Sequence, residues 1–182
     1  VTYADYASWG ADVRCEVVDG HVISYNFSPS KKHQDVLGRL FRVIGKYLEG
    51  KPCDVTIAPF DVYLFAGETG VTPETDNWVE PDLFVVCDAE KYEENKLLGA
   101  PDFVIEVLSP SNPKNDKIYK LRQYEKARVK EYWIVDPNYE IVEVYLLEGD
   151  RLLLDQTYAE DSEITVRLFK DLTIDLKRIF IE

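Results

Sequence analysis

The chain predicts an α/β fold: a mixed β-sheet flanked by helices, with a β-hairpin near each end. Three observations carry this. Short apolar runs of strand length, at 81–88, 102–108 and 131–136, dominate the centre. Two helical periodicities, over 30–48 and 113–126, accompany them, and the second lies between two apolar runs, a strand–helix–strand unit that favours a right-handed parallel crossover. Two turn signals, Asp19-Gly20 and Gly149-Asp150, sit between strand-like segments.

In chain order, "RCEVVDGHVISYN" (14–26) reads as two short strands about Asp19-Gly20. From Ser30 to about Leu48, the residues Val36, Leu37, Leu40, Phe41, Ile44 and Leu48 recur at helical spacing and define one apolar face. "DVTIAPFDVYLF" (54–65) reads as a strand, 66–79 as a loop, and "PDLFVVCD" (81–88) as a short buried strand. After a charged insertion comes "DFVIEVLS", then a second helix from Pro113, capped by Ser111 or Asn112, to about Lys126. "EYWIVDP" is another strand, with Trp133 in the core, and "IVEVYLLEGDRLLLDQT" is a hairpin closed at Gly149-Asp150. "EITVRL" adds a further strand, and the pattern of "LTIDLKRIF" selects no single conformation.

No repeat or Pro/Gly-rich linker divides the 182 residues, so a single domain over 1–182 is expected. With 46% hydrophobic and 30% charged residues the composition is globular, not disordered. No run approaches the roughly 20 apolar residues of a membrane span, and no basic-then-apolar leader opens the sequence, so a cytoplasmic location with no membrane is expected. Cys15, Cys53 and Cys87 are odd in number, far apart and without metal-ligand spacing, and are expected to be free core thiols.

The net charge of −13 argues against a polyanionic partner, but the charge is sorted. Residues 31–51 carry +4 and 112–130 carry +5, leaving −22 for the rest. These segments are either ordinary solvated helix faces or phosphate-facing surfaces.

The chemistry begins at Glu106, a carboxylate inside the apolar run Phe103, Val104, Ile105, Val107, Leu108. An ionised carboxylate left unpaired in an apolar interior costs several kcal/mol, so it demands a proton, a cation or a metal. Asp82 opens the 82–87 strand, and pairing of that strand with 102–108 lets Asp82 and Glu106 converge at one sheet end. Two carboxylates so placed repel, and oxygen ligands without a His/Cys cluster favour Mg2+ or Mn2+ over zinc. Lys120 is the third member, sharing a helix face with Asp116 and Tyr124. The competing readings are an Asp116–Lys120 surface pair, a strand-end Asp82 and a half-exposed Glu106. His33, at the start of the first helix's apolar face, is either a hydrogen-bonded structural histidine or a support to the site, with Gln34 beside it.

Pro81-Asp82, then Glu106-Val107-Leu108, then a helix bearing Lys120 resemble the PD-(D/E)XK arrangement of restriction-endonuclease-like nucleases. More narrowly, "CEVVDGHV", "SPSKKHQDVLGRL", "VEPDLFVV", "FVIEVLSPSNPKNDKIYKLRQYEKARVKEYWIVDP" and the terminal hairpin resemble the Uma-type family of restriction endonucleases over nearly the whole chain. The resemblance implies a restriction-endonuclease-like sheet core and hydrolysis of DNA phosphodiester bonds. Asp82 and Glu106 would bind Mg2+ (or Mn2+) with the Val107 backbone carbonyl, and Lys120 would orient the nucleophile or offset developing charge, phosphates lying against the two basic helices. His33, Gln34, Gln123 and Tyr124 would be supporting residues. One departure is that Leu108 stands where such nucleases usually carry lysine, so Lys120 takes that role from the following helix.

Two other functions stay open: a binding or scaffolding module without the chemistry, and a different hydrolase using the carboxylate pair as acid and base. The latter leaves Lys120 and the basic helices unexplained. Symmetric cleavage by a short domain needs two copies, so a homodimer is expected.

Overall fold

The computed structural model describes residues 1–10, 13–25, 28–109 and 114–181. A short helix α1 (Tyr3–Ala7), capped by Thr2, precedes the hairpin of β1 (Cys15–Val18) and β2 (His21–Tyr25). Asp19 and Gly20 take φ of 48° and 74°, the left-handed backbone that a tight two-residue turn requires. Helix α2 (Lys31–Leu48) starts where the Ser30 hydroxyl accepts the His33 N–H at 3.1 Å.

The expected single strand over 54–65 is two strands, β3 (Asp54–Ile57) and β4 (Asp61–Tyr63), in different sheets. Pro59 lies between them and has no amide hydrogen to continue a ladder. After β5 (Leu83–Val86), the charged insertion forms a 3-10 turn at Ala89–Lys91 and the small strands β6 (Tyr92–Glu93) and β7 (Lys96–Leu98). Strand β8 (Phe103–Val107) leads to a π-helical stretch, Asn115–Lys120, that continues into α3 (Leu121–Lys126). The expected start of this helix at Pro113, with its cap at Ser111 or Asn112, lies outside the described residues. Strand β9 (Glu131–Asp136) and the hairpin of β10 (Ile141–Glu148) and β11 (Arg151–Ala159) follow. The tail, whose pattern is ambiguous, resolves into β12 (Glu163–Thr165), β13 (Thr173–Asp175) and α4 (Leu176–Ile179).

The central sheet runs β11-β10-β9-β8-β5-β3. Only β8 and β9 are parallel, as the helix between them requires, and the other neighbours are antiparallel. Alternation along each strand divides two cores. Phe103, Ile105 and Val107 pack with Val36, Leu37, Leu40 and Ile44 of α2 and with the C-terminal residues Ile174, Leu176 and Ile179. Val104 and Leu108 pack on the other side with Tyr124 of α3, Tyr132 and Val62. Trp133 is fully buried, as expected. Among the described residues no helix is long and apolar enough to cross a membrane.

The cysteine expectation is corrected. Cys53 and Cys87 are joined in a disulfide, whereas Cys15 is a free buried thiol. Asp54 pairs with Val86 in the β3–β5 ladder, so the residues just beyond them are cross-strand neighbours. Their 34-residue separation hides a proximity that only strand register creates.

Candidate active site

Strand pairing brings the two carboxylates together. Leu83 of β5 stands opposite Ile105 of β8, and the antiparallel register places Asp82 opposite Glu106 one step further on. The Asp82 N–H donates to Glu106 Oε2 at 3.3 Å, and the Val107 N–H donates to Asp82 Oδ2 at 2.8 Å. Glu106 is thus tied to the Asp82 backbone, and Asp82 to the Val107 amide next to Glu106.

Glu106 is 1% exposed and faces the α3 side of the sheet. Its Oε1 accepts from Lys120 Nζ at 2.9 Å and from the Tyr124 hydroxyl at 2.6 Å. Helical spacing delivers both donors, since Lys120 and Tyr124 are four residues apart on one face. Burial first, then the Glu106 charge, pushes the Tyr124 phenol well above its ordinary range, so it stays a proton donor. Lys120 is itself only 4% exposed, which sets aside the exposed surface pair as an account of it. The side chain of Asp116 lies outside the described residues.

Asp82 is less enclosed, its side chain 21% exposed, and no donor approaches its Oδ1 among the described residues. His33 reaches it from α2, with Nε2 3.3 Å from Oδ2, while Gln34 Oε1 lies 3.0 Å from Nδ1. Burial pulls the imidazole down, but hydrogen bonding to Asp82, the Asp82 charge, Gln34 and the Val107 backbone outweigh it, and the net shift is upward. The α2 start therefore supports the site from the sheet face opposite α3.

Gln123 is not part of this constellation. Its Nε2 donates to Asp19 Oδ2 at 3.1 Å, at the tip of the β1–β2 turn, and among the described residues its buried Oε1 has no partner.

A residue outside the expected set completes the site. Glu16 of β1, 8% exposed, places Oε1 2.7 Å from Lys120 Nζ, so the amine lies between two carboxylates. The same oxygen accepts the Glu80 N–H at 2.9 Å. The signal is present in the sequence, because Glu16 stands among Cys15, Val17 and Val18 just as Glu106 stands among its apolar neighbours. Hairpin patterning alone gives no reason to carry it to Lys120. Next to it, burial raises the carboxyls of Glu80 and Asp61 while Arg14, 3.0 Å from Glu80 and 3.7 Å from Asp61, opposes the rise.

The donor set suits a hard divalent cation: Asp82 Oδ1, Glu106 Oε2 and the Val107 carbonyl are oxygens at a sheet end with more acids than amines. Among the described residues no three His, Cys, Asp or Glu side chains form a ready cage.

The basic helices are less free than their charge suggests. Lys31 pairs with Asp35, Lys32 with Glu140, Lys117 with Glu143, Lys126 with Asp19, Arg128 with Asp150 and Lys130 with Asp102. Helices α2 and α3 also pack on opposite sheet faces, so one flat phosphate-binding surface across both does not form.

The chain is similar to known proteins over nearly all its length. A crystallised protein from Anabaena variabilis, described as "a putative nuclease belonging to DUF820", superposes with a TM-score of 0.76 over 99% of this chain and 97% of its own, at 21% identity. That likeness shows a shared fold, a central mixed sheet flanked by helices. "Uncharacterized protein slr1290" of Synechocystis sp. is 25% identical over 165 residues, 88% of this chain and 82% of its own. Residues 3–177 match the family model Uma2, "Putative restriction endonuclease", and the chain therefore belongs to the Uma2 family.

Proposed function

We propose that this protein is a divalent-cation-dependent endonuclease that hydrolyses DNA phosphodiester bonds at the Asp82–Glu106–Lys120 site. The observation that carries the reading is the meeting of two strand-end carboxylates with a buried amine from the following helix, in a chain of this family. Asp82 and Glu106, with the Val107 carbonyl, would hold Mg2+ or Mn2+, which supplies Lewis acidity toward phosphoryl oxygens and toward the attacking water.

The remaining work falls to the chain. His33 and the Val107 N–H both engage Asp82 Oδ2, which leaves Oδ1 without a donor among the described residues. Tyr124 and Lys120 both take Glu106 Oε1, leaving Oε2 on the Asp82 side. The Lys120 amine, 2.9 Å from Glu106, is in place to orient the nucleophilic water or to offset charge that develops on the phosphoryl group. A homodimer would supply the second site that cleavage of both strands needs.

The burial of Lys120 between two acids favours a second reading, in which the ion pairs are structural and the module binds without cutting. Incubating the purified protein with linear and supercoiled duplex DNA, in Mg2+, Mn2+ or EDTA, separates the two. The nuclease reading expects cation-dependent cleavage that both Glu106→Ala and Asp82→Ala abolish. Cleavage that survives Glu106→Ala removes its support.

A further inference from the structure

The β1–β2 hairpin is strapped along the helix that carries Lys120. Asn115 Nδ2 donates to the Ile23 carbonyl, Lys120 meets Glu16, and Gln123 and Lys126 both meet Asp19. Among the described residues, only the Lys120–Glu16 contact in this strap is an ion pair buried on both sides, with side chains 5% and 10% exposed. Glu16 is fixed independently of the lysine, because the Glu80 N–H holds its Oε1 at 2.9 Å. It is therefore tied to the segment that leads directly into Asp82.

A lysine amine ends a flexible four-carbon stem, and one acceptor sets a distance without setting a direction. Here, among the described residues, Glu106 lies at 2.9 Å and Glu16 at 2.7 Å, and two acceptors on different elements restrict where the amine sits more than one does. A cation held by Glu106 would draw on its charge and loosen its hold on the amine, whereas Glu16, outside the ligand set, would keep its charge for the amine. In a nuclease that takes its lysine from a helix, Leu108 occupying the strand position, the hairpin then supplies the fixed point that a strand lysine would not need.

We infer that Glu16 is a positioning residue that holds the Lys120 amine toward the scissile phosphate. The inference rests on the nuclease reading above. Glu16 touches neither the cation ligands Asp82 and Val107 nor the substrate in this role; it acts through Lys120.

Steady-state cleavage of linear duplex DNA in Mn2+, with Mn2+ affinity measured by calorimetry, tests it in wild type, Glu16→Gln and Glu16→Asp. Positioning predicts that Glu16→Gln lowers kcat at least tenfold while KM and the Mn2+ dissociation constant stay within twofold. Glu16→Asp keeps the charge but withdraws it by one methylene, and is expected to fall between wild type and Glu16→Gln. Should Glu16→Gln fail to fold by circular dichroism, the folded Glu16→Asp protein decides by the same comparison. Wild-type kcat in a folded variant, or a fall matched by an equal loss of Mn2+ affinity, overturns the role of Glu16 alone. A wild type with no cation-dependent cleavage overturns the nuclease reading and this inference together.

Discussion

The Asp82 main-chain N–H donates to the Glu106 carboxylate, and the amide next to Glu106 donates back to the Asp82 carboxylate, so the two acids are locked crosswise over adjacent strands. This cross-tie holds two carboxylates side by side at one sheet end. It makes their separation a property of the β5–β8 register, not of side-chain freedom.

The first prediction concerns Lys120. Replacing it by Met leaves Glu16 and Glu106 buried and facing each other without their shared cation. Removing one partner of a buried pair costs about 3–5 kcal/mol. Urea unfolding at pH 7 should show a loss of that size, and the loss should shrink in the double variant Lys120→Met, Glu16→Gln, which removes one of the stranded charges.

His33 gives a pH dependence. Its imidazole is held above the ordinary 6.5, burial opposing and Asp82 and Gln34 prevailing. A base raised in the folded state contributes stability that is fully present below its unfolded value and fades as pH rises through the folded one. The stability difference between wild type and His33→Gln should therefore be larger at pH 5.5 than at pH 8.5, measured by denaturant unfolding at both.

The disulfide closes the loop that contains the Asp82 segment. A cross-link between residues 34 apart is worth about 3–4 kcal/mol by loop-closure entropy. Dithiothreitol should lower the thermal midpoint of wild type and leave that of Cys53→Ser, Cys87→Ser unchanged.

Glu131 is a buried carboxylate with a structural assignment. It is 1% exposed, and its oxygens accept from Trp133 Nε1 at 2.8 Å and from the amides of Arg167 at 3.2 Å and Leu168 at 2.9 Å. Burial outweighs these three donors and the Arg167 charge, and raises its carboxyl above the usual range. Glu131→Ala strands three donors, each costing about 1 kcal/mol or more, and should destabilise the fold by roughly 3 kcal/mol without touching the Asp82 site. Calorimetric unfolding measures the loss.

Much of this was written in local pattern. Helix α2, both hairpins and the parallel β8–β9 unit follow from periodicity and turn chemistry, and Glu106 declared itself by interrupting an apolar strand. What local pattern could not carry was register between distant segments. The Cys53–Cys87 bond depends on the β3–β5 ladder, and the Glu16–Lys120 pair depends on hairpin docking against a helix a hundred residues later. Charge counting on α2 and α3 overstated the free basic surface for the same reason: Glu140 and Glu143 are remote in sequence from Lys32 and Lys117 but adjacent in the fold. The division of 54–65 between two sheets turned on Pro59, whose missing amide outweighs the strand-like alternation around it.

The most direct test of the central claim is the anomalous difference map of a crystal soaked in Mn2+. The account predicts a peak between Asp82 and Glu106, about 2.1 Å from one oxygen of each and close to the Val107 carbonyl. A map from well-diffracting crystals with no peak there, or with manganese bound only elsewhere, would contradict it.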